Sequence, residues 1–266
     1  MYAKMDFLIT DPALILILAG VGIFAGLLAG LLGVGGGFLF APAGYFVLTS
    51  LGVPRETALL TAFGVSLAAA FPTVLTGALA HTRQGNVSWK TAAVMGLTGM
   101  VFGFAGGFAA AVLPVDILSI LFSLILIFGG VRMLLKLSSG NNTSIPAPAS
   151  AVIGACGGFF SGLLGVGGGT ILVPLMTIFG KLPMKRAVAV SSAAIVFITA
   201  GGILSYLLHG YFDVTLWIIL TVTAVPAAYV SAAKLSGKIP EKTLRILFFI
   251  LMAAIAAKMI FDVFAG

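Results

Sequence analysis

The octapeptide GLLGVGGG occurs twice, at Gly30–Gly37 and at Gly162–Gly169, 132 residues apart. Each copy is followed five residues later by a proline, Pro42 or Pro174. Eight identities at one offset mark the chain as two copies of one design. Each copy also interrupts an apolar run with glycines, which cost a helix about 1 kcal/mol apiece relative to alanine. Any fold for this chain must therefore let the helical backbone stop, twice, in apolar surroundings.

Those surroundings are a bilayer. Of 266 residues, 61% are hydrophobic and 8% charged, whereas soluble domains carry about 25% charged residues. The apolar runs are long and continuous rather than alternating, which argues against a transmembrane barrel and for helices. At about 20 residues per crossing, the length allows at most about ten spans. The net charge of +7 comes from basic residues standing singly between apolar runs, a pattern of topology and not of nucleic-acid binding. The single cysteine, Cys156, permits neither an internal disulfide nor a cysteine metal site, and no metal or cofactor is expected.

In chain order, residues 1–136 form a first transmembrane repeat. It holds an apolar run ending at Leu32, the glycine break, a short element from Phe38 to Ser50, and three spans over Thr57–Ala80, Ser88–Leu113 and Val115–Lys136. The first run lacks a small-x-small cleavage site and reads as a retained span. Residues 137–150, LSSGNNTSIPAPAS, are the sustained polar stretch and read as a cytoplasmic linker. Residues 151–266 repeat the order, with elements over Ala151–Leu164, Thr170–Gly180, Ala187–Leu208, Asp213–Lys234 and Lys242–Phe264.

Five elements per half is an odd number, so the halves have inverted topology. Sorting the loops by that parity puts eleven basic residues and one acid on one side, and three basic residues and six acids on the other. By the positive-inside rule the first side is cytoplasmic, and both termini lie outside a plasma membrane. Whether the glycine-broken elements are re-entrant or fully spanning stays open. A homodimer is one option for an oligomeric state that the sequence leaves open.

Helical backbone interrupted at membrane depth survives only inside protein or along a wet cavity. Paired breaks at matching positions in two halves are the signature of a secondary transporter's binding site. The helices starting near Phe38 and Thr170 would aim their amides and positive dipole ends at that point, where an anion is the natural occupant. The expected binding set is Gly35, Gly36, Gly37 and Phe38 with Gly167, Gly168, Gly169 and Thr170, joined by the hydroxyls of Thr61, Ser191 and Ser192. The other intraspan hydroxyls, Ser66 among them, are read as bonding back to their own helices. Gly96, Gly99, Gly103, Gly106 and Gly107 fall at helical spacing on one span and are read as packing. His81 and His209 end equivalent spans, and with Arg83 they are candidates for gating or proton exchange, with capping as the alternative. Pro42 and Pro174 are expected in the first turns of their helices. Nothing in the sequence supplies a nucleophile, paired carboxylates or a metal cluster, so no catalytic residue and no enzyme is expected.

The doubled GLLGVGGG before proline, the A-x-x-T of Ala58–Thr61 and the H-x-x-x-G-x-V of His81–Val87 together resemble the sulfite exporter TauE/SafE family. The resemblance covers both halves. It implies a permease of two inverted repeats that exports small sulfur oxyanions or organosulfonates, sulfite or sulfoacetate among them. Two positions depart from the family pattern: Ser88 stands where its first-half turn has aspartate, and His209 abuts Gly210. The expected function is alternating-access export of such an anion, with a passive anion channel of the same architecture as the alternative.

Overall fold

Gly36 and Gly168, the seventh residues of the two octapeptides, are left-handed (φ 72° and 81°), and each caps the helix that follows. Around these two turns the chain is helical. The computed structural model describes residues 11–32, 35–83, 85–134, 142–231 and 241–264. Among these lie ten helices: α1 Pro12–Leu32, α2 Gly37–Ser50, α3 Arg55–Arg83, α4 Trp89–Ala110, α5 Val115–Leu134, α6 Ala147–Leu164, α7 Gly169–Ile178, α8 Met184–Leu208, α9 Val214–Val230 and α10 Glu241–Phe264.

Six of them, α1, α3, α4, α5, α6 and α8, are long and apolar enough to cross a membrane. The helices that follow the two breaks are short, 14 residues in α2 and 10 in α7. Leu16, Val112, Phe179, Leu208 and Phe264 are 69–81% exposed. Hydrocarbon accommodates large apolar side chains turned outward in such number, and water does not.

α3 and α8 are the inner helices, buried over most of their length, and they pack on one another. α4 lies along α6 and α8, α9 lies along α1 and α3, and α5 pairs with α10. Replacing each element by its counterpart five places along turns the α4 pairings into the α9 pairings. The two halves of the sequence are thus interleaved, each of these pairs drawing one member from either half.

Small residues make that interleaving close. Gly154, Gly158 and Gly162 recur every fourth residue on α6, and so share one face. A Cβ on Gly158 would lie 2.5 Å from the Gly99 Cα, and one on Gly162 would lie 2.7 Å from the Gly103 carbonyl carbon. The matching row on α1, Gly22, Gly26 and Gly30, meets Leu220, Ala224 and Ala228 of α9 in the same way. These are small-xxx-small seams, in which backbone touches backbone. All five glycines singled out on α4 meet α6 or α8.

Several boundaries shift by a few residues from the sequence reading. α6 starts at Ala147 rather than Ala151, because Pro146 stands at its N-cap and Pro148 in its first turn, where a missing amide is no loss. Residues 135–141 of the linker region lie outside the described residues. Asn142 ties the linker's end to the turn after α7: its side chain donates to the Gly180 carbonyl (3.0 Å) and its amide to that of Lys181 (3.3 Å). Pro42 and Pro174 are each the sixth helical residue, in the second turn and not the first. Each therefore removes one intrahelical bond.

Candidate functional site

The two breaks face each other. A Cβ on Gly35 would lie 3.8 Å from the Gly167 carbonyl oxygen, and one on Gly37 would lie 2.5 Å from that of Val166. Ser66 of α3 sits between them, its Oγ 2.9 Å from the Gly37 oxygen and 2.7 Å from the Gly165 oxygen, with one proton to share. The expectation that Ser66 bonds back to its own helix is thus wrong. The carbonyls of two interrupted backbones draw its hydroxyl away, since a buried carbonyl without a donor is costly. Ile195 of α8 packs on both breaks, 3.9 Å from the Gly35 Cβ position and 3.7 Å from that of Gly168.

Gly35 and Gly36 match Gly167 and Gly168 in having φ between 72° and 85°. Gly36 and Gly168 place their carbonyls to accept the first helical bonds, from Leu39 and Phe40 in α2 and from Ile171 and Leu172 in α7. The amides before those have no carbonyl one turn back within the helix, so each helix turns its donor end toward the meeting of the breaks.

Three buried hydroxyls of the second half lack a hydrogen-bond partner: Ser161, Thr170 and Ser191. Ser161 ends its side chain beside Gly168, with both Cβ and Oγ 3.5 Å from the Gly168 Cβ position. Thr170, the second residue of α7, lies against Gly129 of α5. Ser191 is one helical turn before Ile195 on the same face of α8. Ser192, by contrast, donates to the Val188 carbonyl of its own helix (3.0 Å). Thr61 is buried and unpartnered, but five residues before Ser66 it points about 140° away from it around α3. Among the described residues no lysine or arginine is buried, so a ligand here would meet dipoles rather than a countercharge.

The histidines part company. The His209 ring donates from Nδ1 to the Ser205 carbonyl (2.7 Å) at the end of α8 and meets the Phe108 ring edge-on, a capping role. His81 is buried in the last turn of α3, with neither ring nitrogen hydrogen-bonded. Lys185, at the start of α8, is its charged neighbour. Arg83 is exposed. The turn after each histidine starts a helix: Asp213 caps α9 by accepting from the Leu216 amide (2.8 Å), and Ser88 holds the same place before α4. Burial pushes the Asp213 carboxyl above the usual carboxylate range, against the pull of the Leu216 and Thr215 amides.

Sequence reasoning missed Ser66 and Ser161. For Ser161 a signal existed, since it directly precedes the second octapeptide where Ala29 precedes the first.

Ten packed helices with an apolar exterior define a polytopic helical membrane protein. Backbone opened inside such a protein is a feature of those that move solutes. The family model described as Sulfite exporter TauE/SafE matches residues 18–259, and the chain belongs to that family. It is 33% identical over 261 residues to a probable membrane transporter protein of Methanocaldococcus jannaschii, covering 92% of this chain and 93% of that one. It is 28% identical over 238 residues to the probable membrane transporter protein YdhB of Bacillus subtilis, covering 87% and 97%. The protein is a multi-pass membrane transporter.

Proposed function

We propose that this transporter exports a small anion, sulfite or an organosulfonate such as sulfoacetate, by alternating access, with the anion held at the GVGGG breaks. The observation that carries the reading is the meeting of the two breaks, with helix donor ends turned to one buried place and the unpartnered Ser161 hydroxyl beside it. Anions are stabilised there by amides and dipoles aimed in advance. Burial of every described break residue favours an occluded carrier over an open pore. The test is counterflow in proteoliposomes. Labelled sulfite uptake should accelerate when unlabelled sulfite or sulfoacetate is loaded on the opposite side. Uptake indifferent to trans anion would favour the passive channel.

The same reading takes residues 1–136 and 151–266 as inverted repeats in the plasma membrane, with both termini outside. Arg55 and Asp116, both assigned to the outer side by charge, lie 3.6 Å apart, and Asp262, assigned to the same side, is near enough to Arg55 to favour its charge. His81 and Lys185, assigned to the inner side, are neighbours. In a Cys156→Ser background, Val112→Cys is expected to react with an impermeant thiol reagent in intact cells, and Thr143→Cys to be protected. Equal labelling of the two would sink the inverted arrangement.

A further inference from the structure

The two breaks are alike in backbone and unlike in what surrounds them. At the second, Gly168 faces the Ser161 hydroxyl, which is 0% exposed and has no hydrogen-bond partner. At the first, Gly36 lies under the Phe40 ring, whose Cε2 and Cζ are 2.9 Å and 3.0 Å from its Cβ position. The asymmetry extends outward. Ala29, Phe38 and Ala62 occupy in the first half the places that Ser161, Thr170 and Ser191 hold in the second. Buried hydroxyls are ordinarily paired. Ser161 beside the α7 N-cap and Thr170 in the first turn of α7 are two unpaired ones at a single helix N-terminus, with Ser191 one turn before Ile195, and the equivalent positions of the other half carry no hydroxyl.

We propose that the protein binds one oxyanion at a time and at the second break alone. The anion sits at the N-terminus of α7, with Ser161 as its side-chain donor and Thr170 and Ser191 lining the place. The first break, sealed by Phe40, serves structure and completes the wall. This rests on the reading that the breaks hold the transported anion, and it narrows that reading to one of the two. It also gives the inverted halves different tasks: the first supplies Ser66 to join the breaks, and the second supplies the ligand's donors.

Isothermal titration of the detergent-solubilised full chain with sodium sulfite, sodium sulfate and sodium methanesulfonate tests this. Wild type should bind at least one of them at one per chain. Ser161→Ala removes one oxygen and is expected to weaken that binding roughly 10- to 150-fold, the worth of one hydrogen bond to a charged group. Thr170→Val, which keeps the side chain's shape, should weaken it in the same direction and decides the matter if Ser161→Ala does not fold. Phe40→Leu, which gives the first half the residue the second has at Leu172, should leave affinity within about twofold. Two anions per chain, or wild-type affinity in Ser161→Ala, would overturn the single site and leave the broader reading standing. No binding of any of the three by wild type would overturn both.

Discussion

Gly168→Ala is expected to insert and fold, yet to bind a small oxyanion roughly two to three orders of magnitude more weakly than wild type. Space is not the obstacle, because a Cβ there would meet Ser161 and Ile195 at 3.5 Å and 3.7 Å, ordinary contact distances. The obstacle is the backbone. Gly168 has φ 81°, and a side chain in that region is strained by about 1–2 kcal/mol. Relief of the strain turns the peptide and misdirects the first amides of α7, at a loss of about 1.5–3 kcal/mol for a hydrogen bond to a charged group. At 1.4 kcal/mol per tenfold, the sum gives the expected fall. Titration calorimetry beside Gly20→Ala, whose Cβ would meet nothing within 4 Å, separates this from a general effect of losing a glycine. Wild-type affinity in Gly168→Ala would mean that the α7 amides do not hold the anion.

Gly162→Ala should fail differently, in the fold itself. Gly162 belongs to the same octapeptide, yet its Cβ would overlap the Gly103 carbonyl, with the Gly103 Cα 2.9 Å away. The obstacle is backbone and not a flexible side chain, so α4 and α6 have to separate along their shared face. Overpacking of this kind costs about 1–3 kcal/mol, and more where nothing can rotate aside. A clearly lowered thermal midpoint in detergent is expected. Gly20→Ala should hold or raise the midpoint, since alanine is the better helix former by about 1 kcal/mol. An unchanged midpoint in Gly162→Ala would contradict backbone contact between α4 and α6.

These two glycines, six residues apart, show how far the sequence could be read. The break itself was legible, because three consecutive glycines after an apolar run stop a helix whatever surrounds them. The order of five elements and five was legible for a similar reason, since apolar length and turn residues are local properties. The role of Gly162 was not. Its four-residue spacing with Gly154 and Gly158 marks a small face of α6, but only the presence of Met95, Gly99 and Gly103 opposite makes that face a seam. The hydroxyls divide in the same manner. Ser191 and Ser192 are neighbours of equal composition, and helix geometry turns them about 100° apart. Ser192 back-bonds, and Ser191 is left facing the side where Ile195 meets the breaks.

By itself, then, the sequence determined a helical membrane chain of two similar halves, each with one backbone interruption at a known place. Apolar length and glycine runs act over a few residues, so no partner had to be known. Tertiary structure alone decided that the interruptions meet, that Ser66 joins them across 99 residues of chain, and that an unpartnered serine hydroxyl lies beside one break and a phenyl ring beside the other. A buried polar or small residue takes its role from whatever lies against it, and for Ser66 and the seam glycines that includes the opposite half of the chain.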